Sequence, residues 1–414
     1  MRVPRRRLPH PPWNGAALVG VAALILLSCV GHHTSGQSPT ESESTPIALH
    51  AKQFAARPSE TTPGIPSRLN GVNGFVMSPS DIPTGHDLTN WVAELTRRGI
   101  TMLLVEIGTG EPTVQVAGAG HPRPRGVYFH SGWAPTVRDV FGEVISVAHQ
   151  HGVTVFAMVS LRDMNWVDPT LGWMDRFYDV RHREVRLSPY LDLFHPGFQE
   201  YLIGLLTDLA DTGIDGMLFR NTPALGPYDG LSAFALGGFQ REFNRALDPA
   251  ELFLAAPTRE GERPKFRPEF WQWAGWKARE RMNVLERLGR AMRLQNPRLH
   301  VALEMHREAV MKPAAALVRY AEDLLEAKRR FEFFLIPPDS PTVPRGVAGD
   351  GDSAWASTIS SMVAQLENPE RVWLGTPVNL DHGIRAGRLP SSSDRQGLDT
   401  RIGLILMGTG PAVP

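Results

Sequence analysis

An α/β protein folded as a (β/α)8 TIM-barrel is predicted by three observations. Short apolar runs recur from Asn70 onward, helical patterns with one apolar stripe fall between them, and the runs number eight. A continuous apolar run bounded by turn residues reads as a parallel strand covered on both faces. Eight such strands with helices between them close a barrel.

The runs are Gly74–Met77, Thr101–Ile107, Val153–Val159, Ile214–Phe219, Leu299–Glu304, Phe331–Ile336, Val372–Gly375 and Arg401–Met407. Between them, Val137, Val140, Phe141, Val144 and Ala148 recur at helical spacing, as do Phe198, Tyr201, Leu202, Leu205, Leu206 and Leu209. Each set puts one apolar stripe on a helix packed outside the sheet. Further helices are predicted over Asp87–Arg98, Trp271–Gln295, Lys312–Arg329 and Ser353–Gln365. The last repeat reads as irregular: His382 to Ser393 has loop composition, and little chain follows Met407. Closure by the segment before Asn70 is the other possibility.

The chain has 414 residues, 42% of them hydrophobic, enough for one large domain of roughly 250–350 residues plus extras. Lys plus Arg and Asp plus Glu are equal at 43 each, so no net positive field marks a nucleic-acid partner. Arg2, Arg5, Arg6 and Arg7 precede an apolar stretch from Ala16 to Leu27, and Leu26-Leu27-Ser28-Cys29 follows at its end. This is the order of a secretory signal, and the stretch is short against the roughly 20 residues of a membrane span. Its ending on the only cysteine resembles a bacterial lipobox, which implies residues 1–29 as a lipoprotein signal with Cys29 lipidated. A signal with an incidental cysteine is the alternative. Val30 after Cys29 implies sorting to the outer membrane, and so a lipid-anchored protein of the cell envelope. Residues 30–69, rich in Ser, Thr, Pro and Glu, read as a tether, and 70–414 as the barrel.

In such barrels chemistry sits at the C-terminal strand ends. Acids expected there are Glu106, Asp163, Asp168, Asp229, Glu304, Asp339 and Asp381. A charge that ends an apolar run is costly unless used or paired, which singles out Glu106 and Glu304. Paired carboxylates about 5 Å or about 6.5–9.5 Å apart are the machinery of glycoside hydrolysis. Asp229, in the loop after the fourth strand, joins Glu106 and Glu304 as a catalytic candidate. Asp215, inside that strand, reads instead as a structural anchor. Aromatics gather in the connections, among them Tyr128, Trp133, Trp166 and Tyr228, and flat apolar faces with polar handles suit sugar rings. His149 and His151 are two apart and cannot face one ion from a regular helix; no metal or cofactor is expected.

Gly126-Val127-Tyr128-Phe129, Val155-Phe156-Ala157-Met158, Arg186-Leu187-Ser188-Pro189 and Ile214-Asp215-Gly216-Met217-Leu218-Phe219 occur in this order. Together they resemble the C-terminal hydrolase domain of PgaB-type poly-β-1,6-N-acetylglucosamine deacetylases, glycoside hydrolase family 153, over roughly Asn70 to Asn379. In that family the fourth strand continues His-Asp-Asp, and acids there carry hydrolysis. Here those positions read Arg220-Asn221-Thr222, with Asp229 left of the later acidic cluster. An amide cannot exchange the catalytic proton as a carboxyl does. The seventh strand departs as well, reading Leu374-Gly375-Thr376-Pro377, whereas Ile336-Pro337 keeps the family's ending of the sixth. The deacetylase domain's Asp and His metal ligands have no counterpart, so N-deacetylation is not expected. The resemblance implies Arg220 and Asn221 as substrate contacts beside Tyr128, Trp133, Trp166 and Tyr228. Three readings stay open: an envelope lipoprotein that holds an exported amino-polysaccharide without cutting it, a hydrolase with a relocated acid pair, and a scaffold for export or matrix proteins.

Overall fold

The computed structural model describes residue 69 and residues 71–109, 125–255, 265–337, 369–379 and 403–409. The signal, Cys29 and the tether up to residue 68 lie outside the described residues, as do Asp339, Asp381 and the helix expected over Ser353–Gln365. All described residues belong to the unit Gly64–Pro414.

The strands are β1 (Asn73–Met77), β2 (Met102–Glu106), β3 (Thr154–Ser160), β4 (Met174–Asp179), β5 (Glu184–Leu191), β6 (Gly216–Arg220), β7 (Phe253–Ala255), β8 (Lys265–Phe266), β9 (His300–Glu304), β10 (Phe333–Ile336), β11 (Val372–Asn379) and β12 (Gly403–Thr409). Eight of them form a closed parallel barrel in the order β1-β12-β11-β10-β9-β6-β3-β2. Each of the eight predicted runs supplies one barrel strand. The closing repeat is regular in its pairing: β12 runs beside β11 from Trp373↔Gly403 to Asn379↔Thr409 and beside β1 from Asn73↔Leu404 to Phe75↔Leu406. Closure therefore uses β12, and no segment before Asn70 is needed as a strand.

The helices are α1 (His86–Arg97), α2 (Phe141–Gln150), α3 (Pro196–Asp211), α4 (Ala233–Phe243), α5 (Pro268–Gln295), α6 (Glu308–Met311), α7 (Pro313–Tyr320) and α8 (Leu324–Lys328). The single helix expected over Lys312–Arg329 is broken. Ala321 takes a left-handed φ of 49°, and Asp323 caps α8 by accepting the N–H groups of Leu325 and Glu326. The break turns the Glu322 carboxylate inward, where it is fully buried. Two antiparallel ribbons interrupt the barrel repeat: β4–β5 between β3 and α3, and β7–β8 between α4 and α5. The apolar runs read from the sequence include neither ribbon.

Inside the barrel Met102 and Leu104, Phe156 and Met158, Leu218, Ala302, Phe333 and Leu335, Trp373 and Ile405 form one apolar cluster. The alternate residues Leu103, Val105, Val155, Ala157, Met217, Phe219, Val301 and Leu303 face the helices. This is the period of two that a strand imposes. Trp373 fills the centre, edge-on to Phe156 and stacked on Phe333 with centroids 5.4 and 4.9 Å away. Gly216 makes room for Phe156: a Cβ there would lie 2.3 Å from the ring. Gly216→Ala overpacks this layer and is expected to cost about 1–3 kcal/mol, read as a lower urea midpoint at unchanged slope. A midpoint equal to that of the natural chain would show that the interior can yield.

Candidate functional site

Following the same alternation one step further brings the interior to its mouth. After Leu104, Met158, Leu218 and Ala302 the next inward positions are Glu106, Ser160, Arg220 and Glu304. They end four strands that are consecutive around the barrel, β2, β3, β6 and β9. Apolar layers thus give way abruptly to charge at the C-terminal strand ends.

Arg220 joins the two glutamates. Its Nη1 donates to Glu106 Oε1 at 3.0 Å and its Nε to Glu304 Oε2 at 3.1 Å. The hydroxyl of Thr222 donates to the other Glu304 oxygen at 3.1 Å. Glu304 is buried, whereas Glu106 and Arg220 keep part of their surface in solvent. Burial pushes the Glu106 carboxyl above its usual range; Arg220 opposes the shift, and Glu304 and Asp81 add to it. Glu304 foremost, with Glu106, pushes the Arg220 guanidinium up. Two of the three catalytic candidates, Glu106 and Glu304, therefore meet on Arg220.

Asn221 turns away from the mouth. Its amide donates to the Tyr320 carbonyl at 3.1 Å and to Glu322 Oε1 at 2.6 Å, and it is 4% exposed. Glu322 also accepts the His306 N–H at 2.9 Å and contacts His306 Nδ1 at 3.0 Å, while the His306 ring stacks on Tyr320. Asn221 thus ties the end of β6 to the break between α7 and α8. Arg281 of α5 is buried behind this group; burial lowers its pKa and Glu322 opposes that shift.

Asp229 belongs to a second charge cluster. It accepts the Gly226 N–H at 2.9 Å and lies 3.6 Å from Arg162 Nη1. Arg162 Nη2 donates to Asp175 at 2.7 Å and Nη1 to the Ala224 carbonyl at 2.6 Å. Lys277, buried on α5, donates to the carbonyls of Gly226 at 2.5 Å and Asp229 at 3.2 Å. Burial raises Asp175 to about 7 and lowers Lys277 to about 8. The cluster binds β4, the loop after β6 and α5 together. Asp229 is thereby engaged with Arg162, and neither Glu106 nor Glu304 is its partner.

The aromatic candidates separate too. Tyr128 is buried in the core outside the sheet, and Tyr228 packs on Phe253 with centroids 4.9 Å apart. Trp166 donates its indole N–H to the Tyr201 hydroxyl at 2.9 Å, and Trp133 rests on α3 against Tyr201. Among the other acids, Asp168 caps the turn at Pro169, and Asp215 accepts the Val155 N–H at 2.9 Å and contacts His149 Nε2 at 2.8 Å. Among the described residues no group of three His, Cys, Asp or Glu could hold a metal ion.

Ser160 is not among the sequence candidates, although counting in twos from Met158 reaches it, and Thr222 is named there without a role. Lys277 and Arg281 are not among the candidates either, although both fall on the stripe Trp273, Ala274, Ala278, Met282, Leu285 of α5. A charge on a core-facing stripe is the signal that would have found them.

No protein-family model and no curated protein matches the sequence. Among solved structures, the β-galactosidase of the Antarctic haloarchaeon Halorubrum lacusprofundi is 10% identical over 81% of this chain and 52% of its own, with a TM-score of 0.53. The cold-adapted β-galactosidase from Rahnella sp. R3 is 11% identical over 81% and 50%, with a TM-score of 0.50. The chain spans about half the length of these two proteins. The likeness lies in the fold, a (β/α)8 barrel.

Proposed function

We propose that this chain is a cell-envelope lipoprotein whose barrel holds an exported amino-polysaccharide of the poly-β-1,6-N-acetylglucosamine type and does not cut it. The observation that carries this is the single guanidinium of Arg220 bonded to both Glu106 and Glu304. Hydrolysis needs one carboxyl free to give a proton to the leaving oxygen and another free to attack or to activate water. Here an intramolecular cation occupies both. Two carboxylates share one guanidinium, and Asp81 adds a further negative charge acting on Glu106, a surplus that suits a partly deacetylated, cationic polymer. Cys29 would carry the lipid anchor, facing the periplasm from the outer membrane, and export or matrix proteins are the natural neighbours.

A hydrolase is the second reading, favoured by the upward shift of Glu106, because a general acid must keep its proton. Incubating the full chain with partly deacetylated poly-β-1,6-N-acetylglucosamine separates the two. Retention of intact polymer on co-sedimentation, with no oligosaccharides by mass spectrometry, is expected. Products that disappear in Glu106→Gln would establish the hydrolase, and neither retention nor products would refute both.

A further inference from the structure

Outside the mouth, aromatic rings touch one another in a continuous run across the start of α3. Trp133 meets Tyr201 edge-on at 6.3 Å, Tyr201 meets Trp173 at 5.5 Å, Trp173 meets His195 at 6.3 Å, and His195 meets Phe234 at 4.3 Å. Trp166 connects this run to the barrel rim. Its indole holds the Tyr201 hydroxyl, and its ring covers Gly108, just past Glu106, where a Cβ would lie 2.4 Å from it. The run therefore starts beside the end of β2 and leads outward to Trp133 and Phe234, which are 50% and 44% exposed.

Trp133 is held in a built seat. Gly204 lies inside α3, and a Cβ there would stand 2.1 Å from the indole. Glycine in a helix interior costs about 0.5–1 kcal/mol relative to alanine, so this position is paid for in helix stability. Asp208, one turn on, accepts the Ser131 hydroxyl at 2.8 Å and the Gly132 N–H at 2.9 Å, and the Ser131 hydroxyl accepts the Trp133 N–H at 3.0 Å. An indole half in water gains little packing for so much fixing. Fixing it in advance does lower the ordering cost of stacking a ligand on it. Glu200, exposed one turn before Gly204, sets a carboxylate beside the aromatic faces, and a sugar offers apolar C–H faces edged with hydroxyl or amino donors.

We propose that Trp133 and Phe234, the exposed ends of this run, which the buried Tyr201 and the partly buried Trp166 and Trp173 support, form a second carbohydrate-contact surface, which holds the stretch of a hexosamine chain that runs out of the mouth over α3. This rests on the reading of the mouth as a glycan site.

The test uses the full chain with long, partly deacetylated poly-β-1,6-N-acetylglucosamine and with oligosaccharides of a few residues that fill only the mouth. Trp133→Ala is expected to weaken binding of the long polymer roughly tenfold and to leave oligosaccharide binding unchanged. Gly204→Ala, which displaces the indole without deleting it, is expected to act in the same way, with the circular dichroism spectrum of the natural chain confirming its fold. Both variants holding the long polymer as tightly as the natural chain would overturn the inference and leave the mouth reading intact. A natural chain that binds neither polymer nor oligosaccharide would overturn both. A protein partner on this surface, the other possible occupant, would show as unaltered polymer binding in both variants.

Discussion

Arg162→Met is expected to destabilise the barrel by about 3–5 kcal/mol, a shift read directly from its denaturant midpoint. Methionine approximates the volume but leaves the buried Asp175 carboxylate without the guanidinium 2.7 Å away, and the Ala224 carbonyl without its donor. Lys277 cannot take over, since its ammonium is committed to the carbonyls of Gly226 and Asp229. The loss should also depend on pH. Burial already raises Asp175 to about 7, so the folded chain holds this proton more tightly than the unfolded chain does. A group raised in this way contributes stability that is full below its unfolded pKa, near 4, and is lost as pH climbs through about 7. Removing Arg162 raises the folded value further. Both chains should therefore lose stability in parallel up to about pH 7, above which the variant should go on losing it while the natural chain levels off. Profiles that stay parallel above about pH 7 would show that Arg162 and Asp175 are not energetically coupled.

Arg220→Ala is expected to cost less stability, about 1–3 kcal/mol, because this side chain is partly in solvent, and to cost more function. Two carboxylates would then face each other at the mouth with Thr222 as the remaining donor to Glu304. Glu106, already raised by burial and by Glu304, would rise again once the opposing cation is gone. Its proton would follow the same sign: stability present at low pH and lost as pH rises through the new value. Losing the fork that fixes both glutamates should weaken polymer retention by roughly tenfold or more. Arg220→Lys keeps the charge without the two-pronged geometry and should fall between. If the lysine variant retains polymer as the natural chain does, charge alone suffices and the bridging geometry is incidental.

The barrel was legible because parallel strands covered on both faces write themselves as unbroken apolar runs, and each of the eight became a strand. The β4–β5 ribbon was not, since Met174–Asp179 and Glu184–Leu191 mix exposed arginines with apolar residues and carry no clean alternation. The split of the predicted helix at Ala321 was hidden for a different reason. Helical spacing continues through the break, and what ends α7 is the distant demand of Asn221 and His306 for the Glu322 carboxylate. At the site, Glu106 and Glu304 stood out locally as charges ending apolar runs. That Arg220 would join them depends on barrel order, which places β2, β3, β6 and β9 side by side. No residue near Asp229 in sequence announces its engagement with Arg162 and with a lysine on α5.

The seam between β1 and β12 sets a condition on biosynthesis. The first strand of the barrel finds one of its two neighbours only when the last strand has been made. Contacts of such sequence separation form late, and a growing chain must meanwhile keep the edges of β1 and β11 from pairing elsewhere. Ribosome-bound or truncated forms ending before Gly403 would present both edges to other copies, so the barrel can close only once synthesis has passed through β12.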